Sequence, residues 1–258
     1  MGSLTLALIV AGATFGGAVF GLAIKHAMPE KMTHGAPRDA VASVVGLLTL
    51  LCALVLGLLV WTAYGVYSNQ NATIQGYALR VLMEDLALAD YGPEAQPARE
   101  GLRDGLEQTL KDLWGPRFTD DFITVNYRAA ISAMRSGQFF LETLQPTTEG
   151  QKTALATAIQ AHAASAQMRV QMALALTNPI SYPLIAVVVG WVTVLLCGYG
   201  FMSRVSVVSV VALALGALAV STAVYTITEL SDPYSGPFRA SPAPIERLLH
   251  DITNNETH

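Results

Sequence analysis

Glu229-Leu230-Ser231-Asp232-Pro233-Tyr234-Ser235-Gly236-Pro237-Phe238 follows directly on residues 205–228, a run with no charged side chain. Such a run is long enough to cross roughly 30 Å of hydrocarbon as a helix. Pro233 has no amide to give a continuing helix and Gly236 has no side chain to hold one, so the chain turns where it leaves the bilayer. A carboxylate at a helix C-terminus and at the edge of lipid is unfavourable on both counts. Glu229 therefore requires a basic or hydrogen-bonding partner, and Arg80 and Arg239 are the candidates on the same membrane side. Asp232 can bond to the amides of the turn itself. Glu229, Asp232, Pro233, Tyr234 and Gly236 read as a packed structural corner; the alternative is a simple stop signal.

Working outward, three more uncharged runs appear at 1–24, 40–70 and 184–203. The first lacks the basic stretch that precedes a signal-peptide core, so it reads as a retained helix. Its Gly12/Gly16 and Gly17/Gly21 pairs form two small-residue ridges, which favour close helix contact in lipid. The second span is the expected in-chain partner, and a subunit interface is the alternative. Trp61, Tyr64 and Tyr67 near the end of the second run fit an interfacial belt. Ser43 and Thr49 can bond to their own preceding turns and need not line water. Runs three and four are separated by little more than Arg204, so they form an antiparallel hairpin. Four spans put both termini and the central region on one side. Basic residues in the short linkers and flanks are almost evenly divided, so charge alone leaves the orientation open.

Beyond the Asn69-Gln70-Asn71 collar, Ile74, Tyr77, Leu79, Val81, Leu82, Leu86 and Leu88 keep roughly helical spacing, so the second helix either runs on as a stalk or joins a soluble bundle. Arg80 and Glu84 are four apart and can pair on one face. Residues 99–113 form an amphipathic helix with the stripe Leu102, Leu106, Leu110 and Leu113. A longer helix follows from Thr119 to about Leu144, with Ile123, Tyr127, Ile131, Met134, Phe139 and Leu141 toward its buried surfaces. Thr148 and Gln151 make a capping box for the next helix, marked by Leu155, Ile159, His162, Met168 and Met172. His162 reads as a core or surface histidine. The segments are thus 1–70 (first transmembrane pair), 71–183 (helical extramembrane domain with stalk), 184–229 (second transmembrane pair) and 230–258 (corner and tail).

Composition narrows the function. With 52% hydrophobic and only 13% charged residues, the chain is far from a soluble domain, where about a quarter are charged. A net charge of -4 gives no footprint for nucleic acid. Cys52 and Cys197 lie within apolar runs and read as small buried hydrophobes rather than a disulfide. His26 and His34 lack further metal ligands. No cofactor or metal is expected. The spans hold no carboxylate or histidine beside a serine or cysteine, so the chain is not read as an enzyme. They also lack charges and Gly/Pro-broken midplane helices, which argues against a secondary transporter.

The order of spans, the Glu229–Gly236 corner and the segment from Asn71 to Arg80 after the second helix together resemble the bacterial DUF4239, or bestrophin-like, family over nearly the whole chain. Tyr234 stands where that family usually has phenylalanine, and Asn71 where it often has an acidic residue. The resemblance implies an all-α membrane protein: four transmembrane helices in two pairs flanking a helical extramembrane domain. It implies a bacterial cytoplasmic membrane, with the central domain in the cytoplasm. By likeness to bestrophins it implies a homo-oligomeric ion channel, anion-conducting, pentameric or alternatively tetrameric. Its pore would be lined from the second helix by Leu47, Leu50, Leu51, Leu54, Leu58, Asn71 and Gln75, with Arg80, Glu84 and the corner as structural elements. Besides the lipid bilayer and its own copies, the alternative is a non-conducting scaffold whose helical domain binds a protein partner.

Overall fold

A computed structural model of the chain describes residues 3–27, 36–115, 122–175, 182–231, 234 and 236–254. His34 of the first linker and Asp232, Pro233 and Ser235 of the corner lie outside the described residues. Among the described residues there are eight α-helices and no strand. They are α1 (Ser3–Ala27), α2 (Ala36–Tyr91), α3 (Gln96–Trp114), α4 (Phe122–Thr143), α5 (Glu149–Ala175), α6 (Tyr182–Met202), α7 (Val207–Leu230) and α8 (Ala243–Asn254). Four of them, α1, α2, α6 and α7, are long and apolar enough to cross a membrane. The chain divides into two compact units: residues 1–66 with 179–231, the membrane unit, and 67–178 with 232–258, the helical unit. Helix α2 is unbroken through the Asn69-Gln70-Asn71 collar, so it gives residues to both.

Lipid tails are as apolar as leucine, so helices in a bilayer associate by packing rather than by hiding apolar surface from water. The membrane unit meets that demand with glycine. A Cβ on Gly21 would lie 1.9 Å from the Cys197 carbonyl oxygen, and one on Gly200 2.1 Å from that of Ala18. One on Gly17 would sit 2.6 Å from the Thr193 methyl. Helices α1 and α6 therefore run parallel in backbone contact. The in-chain partner of this ridge is the third span, not the second as expected. The second ridge is different: a Cβ on Gly12 or Gly16 would meet nothing within 4 Å. Helix α7 lies antiparallel to α1, where Ser221 Oγ donates to the Ala7 carbonyl at 2.6 Å and Val10, Ile185 and Val224 form a small core. Helix α2 packs on α6 through Val45 against Gly198, and Thr49 meets the Tyr199 hydroxyl at 3.0 Å.

Polar groups in these spans are satisfied close to home. Thr14, Thr49 and Thr193 each donate to the carbonyl four residues back at 2.7 Å, and Ser43 does so at 2.9 Å. Lys25 Nζ donates to the Ser203 carbonyl at 2.7 Å, just past the end of α6, where a helix dipole favours a cation. Ser206 caps α7 by accepting from the Ser209 amide at 3.1 Å. Both cysteines are free.

In the helical unit, the later part of α2 supplies Ile74, Tyr77, Ala78 and Val81 to a core shared with Leu106 and Leu113 of α3, Met172 of α5, and Ile245, Leu248 and Ile252 of α8. The capping box forms: the Gln151 amide donates to Thr148 Oγ1 at 3.1 Å, and the Thr148 amide to Gln151 Oε1 at 3.3 Å. The buried faces of α5 and α4 are built largely from small residues, which for α4 corrects the expectation. Helix α5 buries alanines (Ala154, Ala158, Ala161, Ala166 and Ala173) and leaves Ile159 exposed. Helix α4 buries Asn126, Ala130 and Leu141 while Tyr127, Met134 and Phe139 face outward. In both helices small residues make up much of the buried face, beside Met172 of α5 and Leu141 of α4, while Ile159, Tyr127, Met134 and Phe139 are left exposed.

The two glycine ridges of α1 should respond in opposite ways. Gly21→Ala must push a methyl group into a backbone carbonyl and should cost about 1–3 kcal/mol. Gly12→Ala should be neutral or gain a few tenths of a kcal/mol from helix propensity. Thermal unfolding of the two variants in one detergent measures this, and equal midpoints would contradict the packing described.

Candidate functional site

The membrane part of α2 has two faces. Val45, Cys52 and Ala63 are buried against the unit, with Leu48, Val55, Leu56 and Leu59 partly covered. Leu47, Leu50, Leu51, Leu54 and Leu58 point away, 39–73% exposed, together with Trp61. The outward residues Leu47, Leu51, Leu54, Leu58, Trp61 and Gly65 alternate in steps of four and three. Leu50, Ala53, Gly57 and Tyr64 are exposed as well, so this series is a seam within a broad uncovered face. In the helical unit the same steps continue through Ser68, Ala72, Gln75 and Leu79, all exposed. Gln75 is on the seam. Asn71 is half-buried and off it.

The corner residues have separate partners in their own units. Glu229 is buried in the membrane unit and accepts a hydrogen bond from Ser3 Oγ. Glu229 thus has the hydrogen-bonding partner it requires, and among the described residues that partner is this hydroxyl rather than Arg80 or Arg239. Ser3 begins α1, so the positive end of that helix dipole lies beside the carboxylate and offsets the unfavourable end of α7. In the helical unit Tyr234 is buried, donates to Gln70 Oε1 at 3.2 Å and stands edge-on to Trp114 with ring centres 5.3 Å apart. Burial pushes its pKa well up, against a smaller opposing effect from Arg169, so the hydroxyl keeps its proton and stays a donor. Trp114 Nε1 donates to the Ala240 carbonyl at 2.9 Å. Gly236 has φ 75°, a left-handed conformation that disfavours a side chain.

The expected Arg80–Glu84 pair does not form. Arg80 is exposed, with its guanidinium 3.8 Å from Met83 Sδ, while Glu84 turns inward and is 3% exposed. There it meets His162 Nδ1 at 2.8 Å and accepts from Ser165 Oγ at 3.2 Å. His162 Nε2 lies 3.1 Å from the Met134 carbonyl. Burial alone would lower the histidine pKa, but the Glu84 hydrogen bond and charge, helped by Met134, outweigh it and raise the pKa above the ordinary 6.5. A Cβ on Gly137 would come 2.2 Å from His162 Cε1, so the imidazole reaches across α4 only because that position is glycine. Arg169, one turn beyond Ser165, donates to Thr109 Oγ1 at 3.3 Å and to Asp112 Oδ2 at 3.1 Å. Arg99 grips Asp85 with two bonds, at 2.8 and 3.1 Å. Sequence reading missed this cluster because its members come from four helices. The visible signal was a set of ionisable residues on the apolar faces of α2 and α5. Among the described residues no three His, Cys, Asp or Glu side chains are grouped to hold a metal.

The family model of the bestrophin-like domain matches residues 12–245. No curated protein matches the chain. Among solved structures, a crystal structure of a point mutant of a bacterial bestrophin homologue from Klebsiella pneumoniae is similar with a TM-score of 0.60 at 12% identity, covering 98% of this chain and 99% of that one. That likeness is one of fold: two N-terminal and two C-terminal apolar helices about a helical middle. The chain is an integral membrane protein.

Two outcomes follow from this geometry. Glu229→Gln should cost about 1–2 kcal/mol by weakening a charged hydrogen bond beside a helix N-terminus. Asp251→Asn, on an exposed side chain, should stay within about 0.5 kcal/mol. Gly236→Val should cost at least about 1–2 kcal/mol, because it forces a β-branched residue to a positive φ. Detergent unfolding midpoints of the three variants give the ranking; a Glu229→Gln protein indistinguishable from Asp251→Asn would reduce the corner to a stop signal. The second outcome concerns pH. A folded-state pKa above the unfolded one gives His162 a stabilising contribution that is complete below about pH 6.5 and disappears as pH rises through the raised value. Unfolding midpoints taken from about pH 6 to about pH 9 should fall in the native chain and fall less in His162→Gln and Gly137→Ala. Parallel profiles would show that the pair does not form.

Proposed function

The chain belongs to the bestrophin-like family, and on that footing we propose that it is a subunit of an oligomeric ion channel or pore in the bacterial cytoplasmic membrane, lined by α2. The observation that carries the reading is the uncovered leucine face of α2, opposite the face that packs into the membrane unit. A water path needs more wall than one subunit of four spans supplies, so copies of α2 around a shared axis would form it. Leu47, Leu50, Leu51, Leu54 and Leu58 would make a hydrophobic neck, able to gate by dewetting. Gln75, with Asn71 beside the seam, would give the polar exit. Five copies are the number suggested by likeness to bestrophins, with four as the alternative, and the same likeness suggests anions and a cytoplasmic helical unit. Narrower membership in the DUF4239 group is part of this proposal, as is the absence of catalysis.

A second reading has its own observation. Val125, Tyr127, Phe139 and Phe140 of α4 are 39–65% exposed, an apolar surface on the helical unit. A non-conducting scaffold would use it to hold a protein partner.

Flux separates the two. Leu54→Ser and Leu58→Ser should speed ion release from proteoliposomes by about tenfold or more if they wet a closed neck. Ser replacements at Leu4 and Leu8, exposed on α1, serve as lipid-side controls and should leave the rate unchanged. Flux unaltered across all the α2 variants would reject α2 as the gate and leave the scaffold.

A further inference from the structure

Helix α4 is held unevenly. Among its described residues only Asn126, Ala130 and Leu141 are buried, so packing fully covers nothing between Ala130 and Leu141. His162 of α5 grips that stretch instead. Its ring fits over Gly137, and Nε2 lies 3.1 Å from the Met134 carbonyl oxygen. On the other side Nδ1 lies 2.8 Å from Glu84 Oε1 of α2. The imidazole on α5 therefore joins α4 to α2.

Both of its partners accept and neither donates, since an ionised carboxylate and a backbone carbonyl carry no proton. Only an imidazolium, with a proton on each nitrogen, satisfies the two contacts at once. A neutral ring has one N–H and must turn a lone pair toward one of the acceptors. The charged carboxylate is the stronger acceptor and the nearer one, so the neutral ring keeps its proton on Nδ1 and meets Met134 with a lone pair. The surrounding charges favour the imidazolium. Two cavities, of about 100 and about 190 Å³, flank the ring; Glu84 of α2 lines the first and Glu142 of α4 the second. Arg169 of α5 is engaged by Asp112 of α3, and Asp85 of α2 by Arg99. The residues of α3 that line the first cavity are uncharged. The raised pKa of the imidazole agrees with this balance. With 13% of its side chain exposed, the ring can trade its proton with water.

We propose that His162 is a proton-operated clasp on α4: the imidazolium ties the middle of that helix to Glu84, and the neutral ring stays with Glu84 and lets Met134 go, so that α4 loosens as pH rises. The proton leaves to water. Loosening adds Ala130 and Leu141 to the apolar surface that Tyr127 and Phe139 already expose. The clasp lies within the helical unit and holds under either reading of the function.

Two measurements on the full chain in detergent test this. In the first, histidine ring nitrogens are isotopically labelled for NMR, and His162 is the signal missing from the His162→Gln spectrum. Between about pH 6 and about pH 9 it should pass from the imidazolium to the Nδ1–H form, whereas a solvated neutral histidine prefers Nε2–H. In the second, amide exchange is corrected for its intrinsic pH dependence. Residues 122–143 of the native chain should lose protection by about threefold or more over that range, and residues 74–91 of α2 should change less. His162→Gln has no ring to titrate and Gly137→Ala denies the ring its place, so in either variant the protection of α4 should not vary with pH. A neutral ring of the Nε2–H form, or a ring already neutral at about pH 6, would overturn the clasp. So would α4 protection that is constant with pH in the native chain, a loss spread evenly over all helices, or the native response persisting in both variants.

Discussion

The closest approach in the membrane unit is between the backbones of α1 and α6, at Gly17, Gly21 and Gly200, and the arrangement of the other two spans follows from it. Once these helices are in backbone contact, α7 reaches both through Ser221 and Val224, and α2 docks on the outside of α6 through Val45 and Thr49. Docking from outside is what leaves one whole face of α2 uncovered. The small residues of α1 and the large ones of α2 are therefore two sides of one packing solution: the first hold the unit together, and the second are left facing away from it.

Much of the fold was legible in the chain because a bilayer imposes simple rules. Uncharged runs of sufficient length could only be spans, and the capping box of Thr148 and Gln151 could only open a helix. Partnerships were not. Glu229 needed a basic or hydrogen-bonding partner, and Arg80 and Arg239 were the candidates in range. Ser3 was overlooked because it is distant in sequence and uncharged, yet at a helix start it offers both a hydroxyl and a dipole. Arg80 and Glu84 were matched by spacing, but Glu84 lies on the buried face and had to find its partners in α5.

The helical unit shows the same limit from the other side. Large apolar residues were expected inside and several are outside, because α4 and α5 approach their neighbours through alanine and glycine. Where helices are that close, polar side chains from different helices reach one another, and Glu84, His162, Ser165, Thr109 and Arg169 join in one interior cluster. Such a cluster fixes how helices are set, since a buried charge tolerates few arrangements and losing one partner costs about 3–5 kcal/mol.

The alanine face of α5 bears on how this protein can vary. An alanine has no rotamers to lose on burial, so docking such a helix carries almost no side-chain entropy penalty, whereas a buried leucine or methionine loses about 0.5–2 kcal/mol. The benefit holds only while the residues stay small, because a face packed to that depth has no slack to admit a larger group. Ala154, Ala158 and Ala161 should therefore change very slowly as the sequence drifts, while exposed Ile159 beside them is free to change. Along one helix, the residues of least chemical character would be the most constrained.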